Sequence, residues 1–128
     1  MWRLQYRNFL RYETLVGNLV TDVDVTDHGG IRWFELRRTP PGSGPWNLFQ
    51  EGTYAPDADH RWMGSIAMDG CGNMALGYSV SSTTSFPSIR YAGRLAGDTP
   101  GTMPLGEFPI ADGTASQQGT PVGETTAP

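Results

Sequence analysis

Asp57, Asp59, His60, Arg61 and Trp62 form the densest polar and aromatic cluster in the chain. A carboxylate beside an imidazole could divide acid and base work, and an aromatic plate next to them could stack on a sugar ring. The plainer assignment makes Asp59 or His60 a hydrogen-bonding anchor of a connector and packs Trp62 in the core. Asp22, Asp24 and Asp27, in the segment DVDVTDHGG, are a weak candidate metal site. An EF-hand loop needs a Glu at its twelfth position, where this segment has Trp33, so the carboxylates read as caps for the backbone donors of a turn. Ser65, Ser79 and the run Ser81-Ser82-Thr83-Thr84-Ser85 lack a Gly-x-Ser-x-Gly elbow, and both histidines fall in predicted loops, so no triad assembles. Cys71 has no adjacent His or basic residue to lower its pKa, and its replacement by Ser is expected to be harmless.

The elements that must position these residues are strands. Trp2 to Asn8 alternates, with Trp2, Leu4 and Tyr6 on one face and Arg3, Gln5 and Arg7 on the other. Thr14 to Val23 is rich in β-branched residues and ends in the turn-forming run Asp24 to Gly30. Gly30 to Arg37 is a third strand, the loop Thr39 to Pro45 breaks regular structure, and Trp46 to Tyr54 is a fourth. After the connector Ala55 to Arg61 the pattern restarts. Met63 to Asp69 and Met74 to Ser81 flank the hairpin turn Gly70-Cys71-Gly72-Asn73, and Ser88 to Arg94 and Glu107 to Ala111 follow, the last favouring a sheet edge because Pro109 lacks a ladder donor. Ile31-Arg32-Trp33 and Ile89-Arg90-Tyr91 recur 58 residues apart, as an internal repeat. The expected fold is therefore all-β, with antiparallel four-stranded sheets forming about two β-propeller blades: blade 1 over about 1–54 and blade 2 over about 62–112. Residues 113–128, of Gly, Thr, Ser, Gln and Pro with almost nothing to bury, are expected to form a disordered tail.

Composition agrees and excludes some functions. With 17 Gly, 10 Pro and only 17% charged residues, the chain suits short strands and tight turns. Its nine basic residues are all Arg, its net charge is −4, and it has no basic run, which argues against nucleic-acid binding. A single Cys provides neither a disulfide framework nor a Cys/His metal cluster, and no cofactor is implied. No apolar run reaches the roughly 20 residues of a membrane-spanning helix.

The runs Trp62-Met63-Gly64-Ser65-Ile66-Ala67-Met68-Asp69, Gly72-Asn73-Met74-Ala75-Leu76-Gly77-Tyr78-Ser79 and Pro87-Ser88-Ile89-Arg90-Tyr91 resemble a repeat of sialidase-like (BNR-type) β-propellers in large secreted bacterial proteins of unassigned activity. Tyr6-Arg7-Asn8-Phe9 and Gly30 to Arg37 resemble the preceding blade, so the likeness covers roughly residues 1–118. It implies the propeller fold and an extracellular setting. Met1-Trp2-Arg3 begins no secretory signal, which places the chain as written in the cytoplasm or makes it a fragment, and the departure after Gln117 reads as truncation or rearrangement. Sialidase chemistry uses an arginine cluster and a Tyr nucleophile, which invites comparison with Arg32 and Arg90. Their repetition points instead to a structural role, and the Asp-box Ser-x-Asp-x-Gly-x-Thr-Trp is absent.

Two blades cannot close a ring, so a homo-oligomer is expected, three copies giving six blades or two copies pairing. The expected function is a non-enzymatic scaffold or binding module. The alternative is a glycan-binding or glycoside-cleaving module that combines Asp57, Asp59 or Glu35 with Arg32 or Arg90.

Overall fold

A computed structural model describes residues 3–118. Eight strands follow one another: β1 (Gln5–Asn8), β2 (Glu13–Asp22), β3 (Gly29–Arg38), β4 (Trp46–Tyr54), β5 (His60–Met68), β6 (Met74–Ser81), β7 (Ser88–Arg94) and β8 (Glu107–Ala111). They form two four-stranded antiparallel meanders, β1-β2-β3-β4 and β5-β6-β7-β8, and every described residue in regular structure is in a strand. The all-β expectation of two four-stranded units holds.

The turns form where local side chains satisfy backbone donors. Between β5 and β6, Asp69 Oδ1 accepts from the N–H groups of Cys71 and Asn73, and Gly72 takes the left-handed φ of +87° that closes the turn. Between β2 and β3, Asp22 Oδ1 accepts from the N–H groups of Asp24 and His28, while Val23 N–H donates to the His28 carbonyl.

The sheets pack face to face through β5, which lies across β2 and β3. The inner faces share one core, with Val16, Ile31 and Trp33 from the first sheet and Ile66, Met68, Met74, Leu76, Tyr78 and Ala92 from the second. Strand β6 shows the cause in its alternation. Met74, Leu76, Tyr78 and Val80 are buried inward while Ala75, Gly77 and Ser79 face out. The contact also has a polar rim, since Gln5 Oε1 accepts from Met68 N–H and Arg7 Nε donates to the Met68 carbonyl.

Apart from one-residue shifts at the ends of β2, β3 and β5, three places differ from the sequence reading. The first strand begins at Gln5, after Arg3 and Leu4 as irregular chain, and Trp2 lies outside the described residues. The fifth begins at His60, because Arg61, assigned to the connector on its polarity, is a strand residue with its charge neutralised inside the fold. Of the expected disordered tail, residues 113–118 run as irregular chain, and Gly113 N–H donates to Ser88 Oγ at 3.0 Å. The remainder, 119–128, lies outside the described residues.

Candidate functional site

Part of the predicted cluster does converge, around Arg61. This side chain is fully buried, and all five of its N–H donors are used. Nη1 and Nη2 reach the two Asp57 carboxylate oxygens at 2.8 and 3.1 Å, Nε and Nη2 reach Glu107 at 2.9 and 3.2 Å, and Nη1 also donates to the Asp59 carbonyl at 2.9 Å. Glu107 takes two further donors, the Tyr78 hydroxyl at 2.7 Å and Arg90 Nη1 at 2.8 Å. One knot thus ties the connector to β5, β6, β7 and β8.

The electrostatics follow from that geometry. Burial works to raise the Glu107 carboxyl, but hydrogen bonds from Arg61, Tyr78 and Arg90 outweigh it and hold the group below its ordinary value. Burial pushes the Tyr78 hydroxyl well up, and the adjacent Glu107 carboxylate pushes it further, so it is a poor nucleophile near neutrality. With every Arg61 donor occupied, the guanidinium has none left for a substrate carboxylate. The knot is suited to holding the chain together.

The other predicted residues are dispersed. Asp59 Oδ2 accepts from Ser85 Oγ at 2.9 Å, and His60 Nδ1 accepts from Gly29 N–H at 3.2 Å, so both anchor the connector. Trp62 is absent from the core, where the plainer assignment placed it. The bulge between Trp62 and Ser65, with Met63 at φ 53°, turns Trp62 to the outer face of the second sheet. There it lines an open cleft of about 370 Å³ with Ser79, Ser88, Ile89, Asp112 and Gln117. Arg32 lies on the outer face of the first sheet, paired with Glu51 at 2.6 Å, whereas Arg90 pairs with Glu107 in the second sheet. Glu35 is buried among Arg37 and Gln50 and does not join Asp57. Asp24 spends its carboxylate on Thr26 and faces His28, and Asp27 sits at φ 63° in the same turn. Among the described residues no three His, Cys, Asp or Glu side chains are arranged to hold a metal ion. Cys71 is exposed.

Sequence reasoning missed Glu107 as a site residue, together with Glu13 and Arg94. Glu13 accepts from Arg38, from the Tyr6 hydroxyl and from Gly42 N–H. Those hydrogen bonds hold its carboxyl at about 2. Buried Arg94 binds three carbonyls, of Asp98, Thr99 and Thr102, and thereby shapes the loop between β7 and β8. The available signal for Glu107 was a Glu in the strand after each repeated Arg, Glu51 after Arg32 and Glu107 after Arg90.

An acid-sensitivity prediction follows. Glu13, Asp57 and Glu107 all have carboxyls lowered by native hydrogen bonds. Below the ordinary carboxyl values of 4.5 for Glu and 3.8 for Asp, the unfolded chain binds protons that the folded chain does not. Their stabilisation is therefore complete above about pH 4.5 and is lost as pH falls toward 2. Urea midpoints measured across that window should decline steadily, and Glu13→Gln should shallow the decline. A midpoint independent of pH there would refute the assignment.

No protein-family model matches the chain, and no curated protein or solved structure matches it at a significant level.

Proposed function

We propose that the chain is a non-enzymatic β-propeller segment of two blades that works as a self-assembling scaffold. One observation carries this reading: among the described residues, both outer sheet faces carry exposed apolar side chains. Tyr6, Leu19 and Leu48 on the first sheet, and Ile89, Tyr91 and Phe108 on the second, are each 39% to 54% exposed although they lie in the sheets rather than at loop tips. Copies that complete a ring, three giving six blades, would cover these faces. Size-exclusion chromatography with light scattering tests it: a mass of two or more chains is expected, and a stable folded monomer contradicts it.

A second reading, a glycan-binding module, is favoured by the Trp62 cleft, where an aromatic face lies beside Ser79, Ser88 and Asp112. Its predictions are binding on a glycan array that Trp62→Ala abolishes and, for a glycoside-cleaving variant, turnover of a fluorogenic sialoside. Silence in both assays from an intact oligomer leaves the scaffold reading alone. The saturated Arg61 knot and the raised Tyr78 hydroxyl count against glycoside cleavage.

A further inference from the structure

The two sheets are related head to tail, and this fixes how a further copy must dock. Ile31-Arg32-Trp33 and Ile89-Arg90-Tyr91 occupy the third strand of each sheet. Arg32 pairs with Glu51 at 2.6 Å and Arg90 with Glu107 at 2.8 Å. In both sheets the Glu lies on the fourth strand opposite the residue two places beyond the Arg, Phe34 in one and Ala92 in the other. The strands therefore correspond one to one.

Under that correspondence the equivalent residues have opposite fates. Ile31 and Trp33 face the second sheet and are 0% and 1% exposed, whereas Ile89 and Tyr91 face away from the first and are 48% and 39% exposed. A two-fold relation would bury the same face of each sheet. Here the inner face of the first sheet is equivalent to the outer face of the second, so each sheet points the same way along the stack.

The first sheet's outer face completes the pattern. By strand register, Tyr6, Leu15, Leu19 and Phe34 correspond to Met68, Met74, Tyr78 and Ala92. All four of the latter are buried against the first sheet, at 4% exposure or less. Each end of the molecule thus carries one half of an interface that the chain already makes within itself.

We infer that a second copy docks the outer face of its first sheet, Tyr6, Leu15, Leu19 and Phe34, onto the outer face of the second sheet, Ile89, Tyr91 and Phe108. The contact continues the internal sheet-to-sheet interface and joins unlike faces. This inference rests on the scaffold reading and specifies its geometry.

Two variants at exposed positions test it. Leu19→Glu blocks the first sheet's outer face and Ile89→Glu blocks the second's. Each alone should be a folded monomer by light scattering and circular dichroism, and an equimolar mixture should give a one-to-one dimer through the single unblocked pair of faces. Either variant assembling alone as stably as the wild type, or a mixture that stays monomeric, overturns the head-to-tail contact while leaving the scaffold reading in place. A monomeric wild type overturns both. Hydrogen exchange on the unmodified chain gives an answer independent of variant folding. Dilution should release protection in β2 and in β7 and β8 together, and release on one sheet only contradicts the inference.

Discussion

Glu107→Ala is expected to lower stability by about 3–5 kcal/mol, the usual cost of removing one partner from a buried ion pair. The substitution strips the fully buried Arg61 of two hydrogen bonds and leaves Asp57, which is half exposed, as its remaining carboxylate. Tyr78 loses its acceptor and Arg90 its ion pair in the same step. Because the loss falls on strands β5 to β8 together, it should appear as one cooperative shift in the denaturant midpoint. Glu107→Gln keeps the shape and one acceptor oxygen, and it should cost less than Glu107→Ala. Arg32→Ala breaks the equivalent pair on the first sheet, where both partners meet solvent, and should change stability by about 1 kcal/mol at most. Equal effects from Glu107→Ala and Arg32→Ala would show that the knot contributes no more than a surface pair.

The contrast between those two pairs also marks what the sequence could reveal. Strand periodicity is a local signal, and it located β4, β6, β7 and β8 at their observed ends. The turn at Gly72 was legible because its glycine and the flanking Asp69 and Asn73 have turn chemistry of their own. Facing was harder. Bulges at Trp62/Ser65, Glu35/Leu36 and Ile89/Arg90 each insert a residue and reverse the alternation, with no composition to announce them. Trp62 was misplaced for that reason.

The polar core was the least visible part. Glu13, Asn18, Glu35, Arg61 and Arg94 are all buried, and a hydrophobicity pattern assigns such residues to the surface. Glu13 is stable inside because it binds Arg38, Glu35 because it binds Arg37 and Gln50, Arg94 because it binds backbone carbonyls of its own loop, and Arg61 because it binds Glu107 across 46 residues. Partners so distant leave no mark on neighbouring residues. The repeated Arg is different: repetition argued for a structural role of Arg32 and Arg90, and each forms an ion pair with a Glu on the fourth strand of its sheet.

The second large effect concerns how the two sheets are clamped at their far side. The loop between β7 and β8 reaches across to β4, where Gly101 N–H donates to Gln50 Oε1 at 3.0 Å and Met103 enters the core. Gln50 in turn donates to buried Glu35, so the loop is fixed to the first sheet's interior. A Cβ on Gly52 would collide with the Gly101 carbonyl oxygen and lie 3.0 Å from Trp33 Nε1. Backbone on both sides cannot yield as a flexible side chain would, and Gly101 is itself committed to a φ of +81°. Gly52→Ala should therefore lift the loop, loosen Met103 and cost about 1–3 kcal/mol by overpacking. Trp33, against which the loop packs, supplies an indole close to the displaced loop, so its fluorescence should shift along with the denaturant midpoint. Gly97→Ala, in the same loop, places its Cβ where nothing lies within 4 Å. It should stay within about 0.5 kcal/mol of the parent, as surface changes generally do. If Gly52→Ala proves equally silent, the loop does not clamp the sheets, and the face-to-face packing rests on β5 and the shared apolar core.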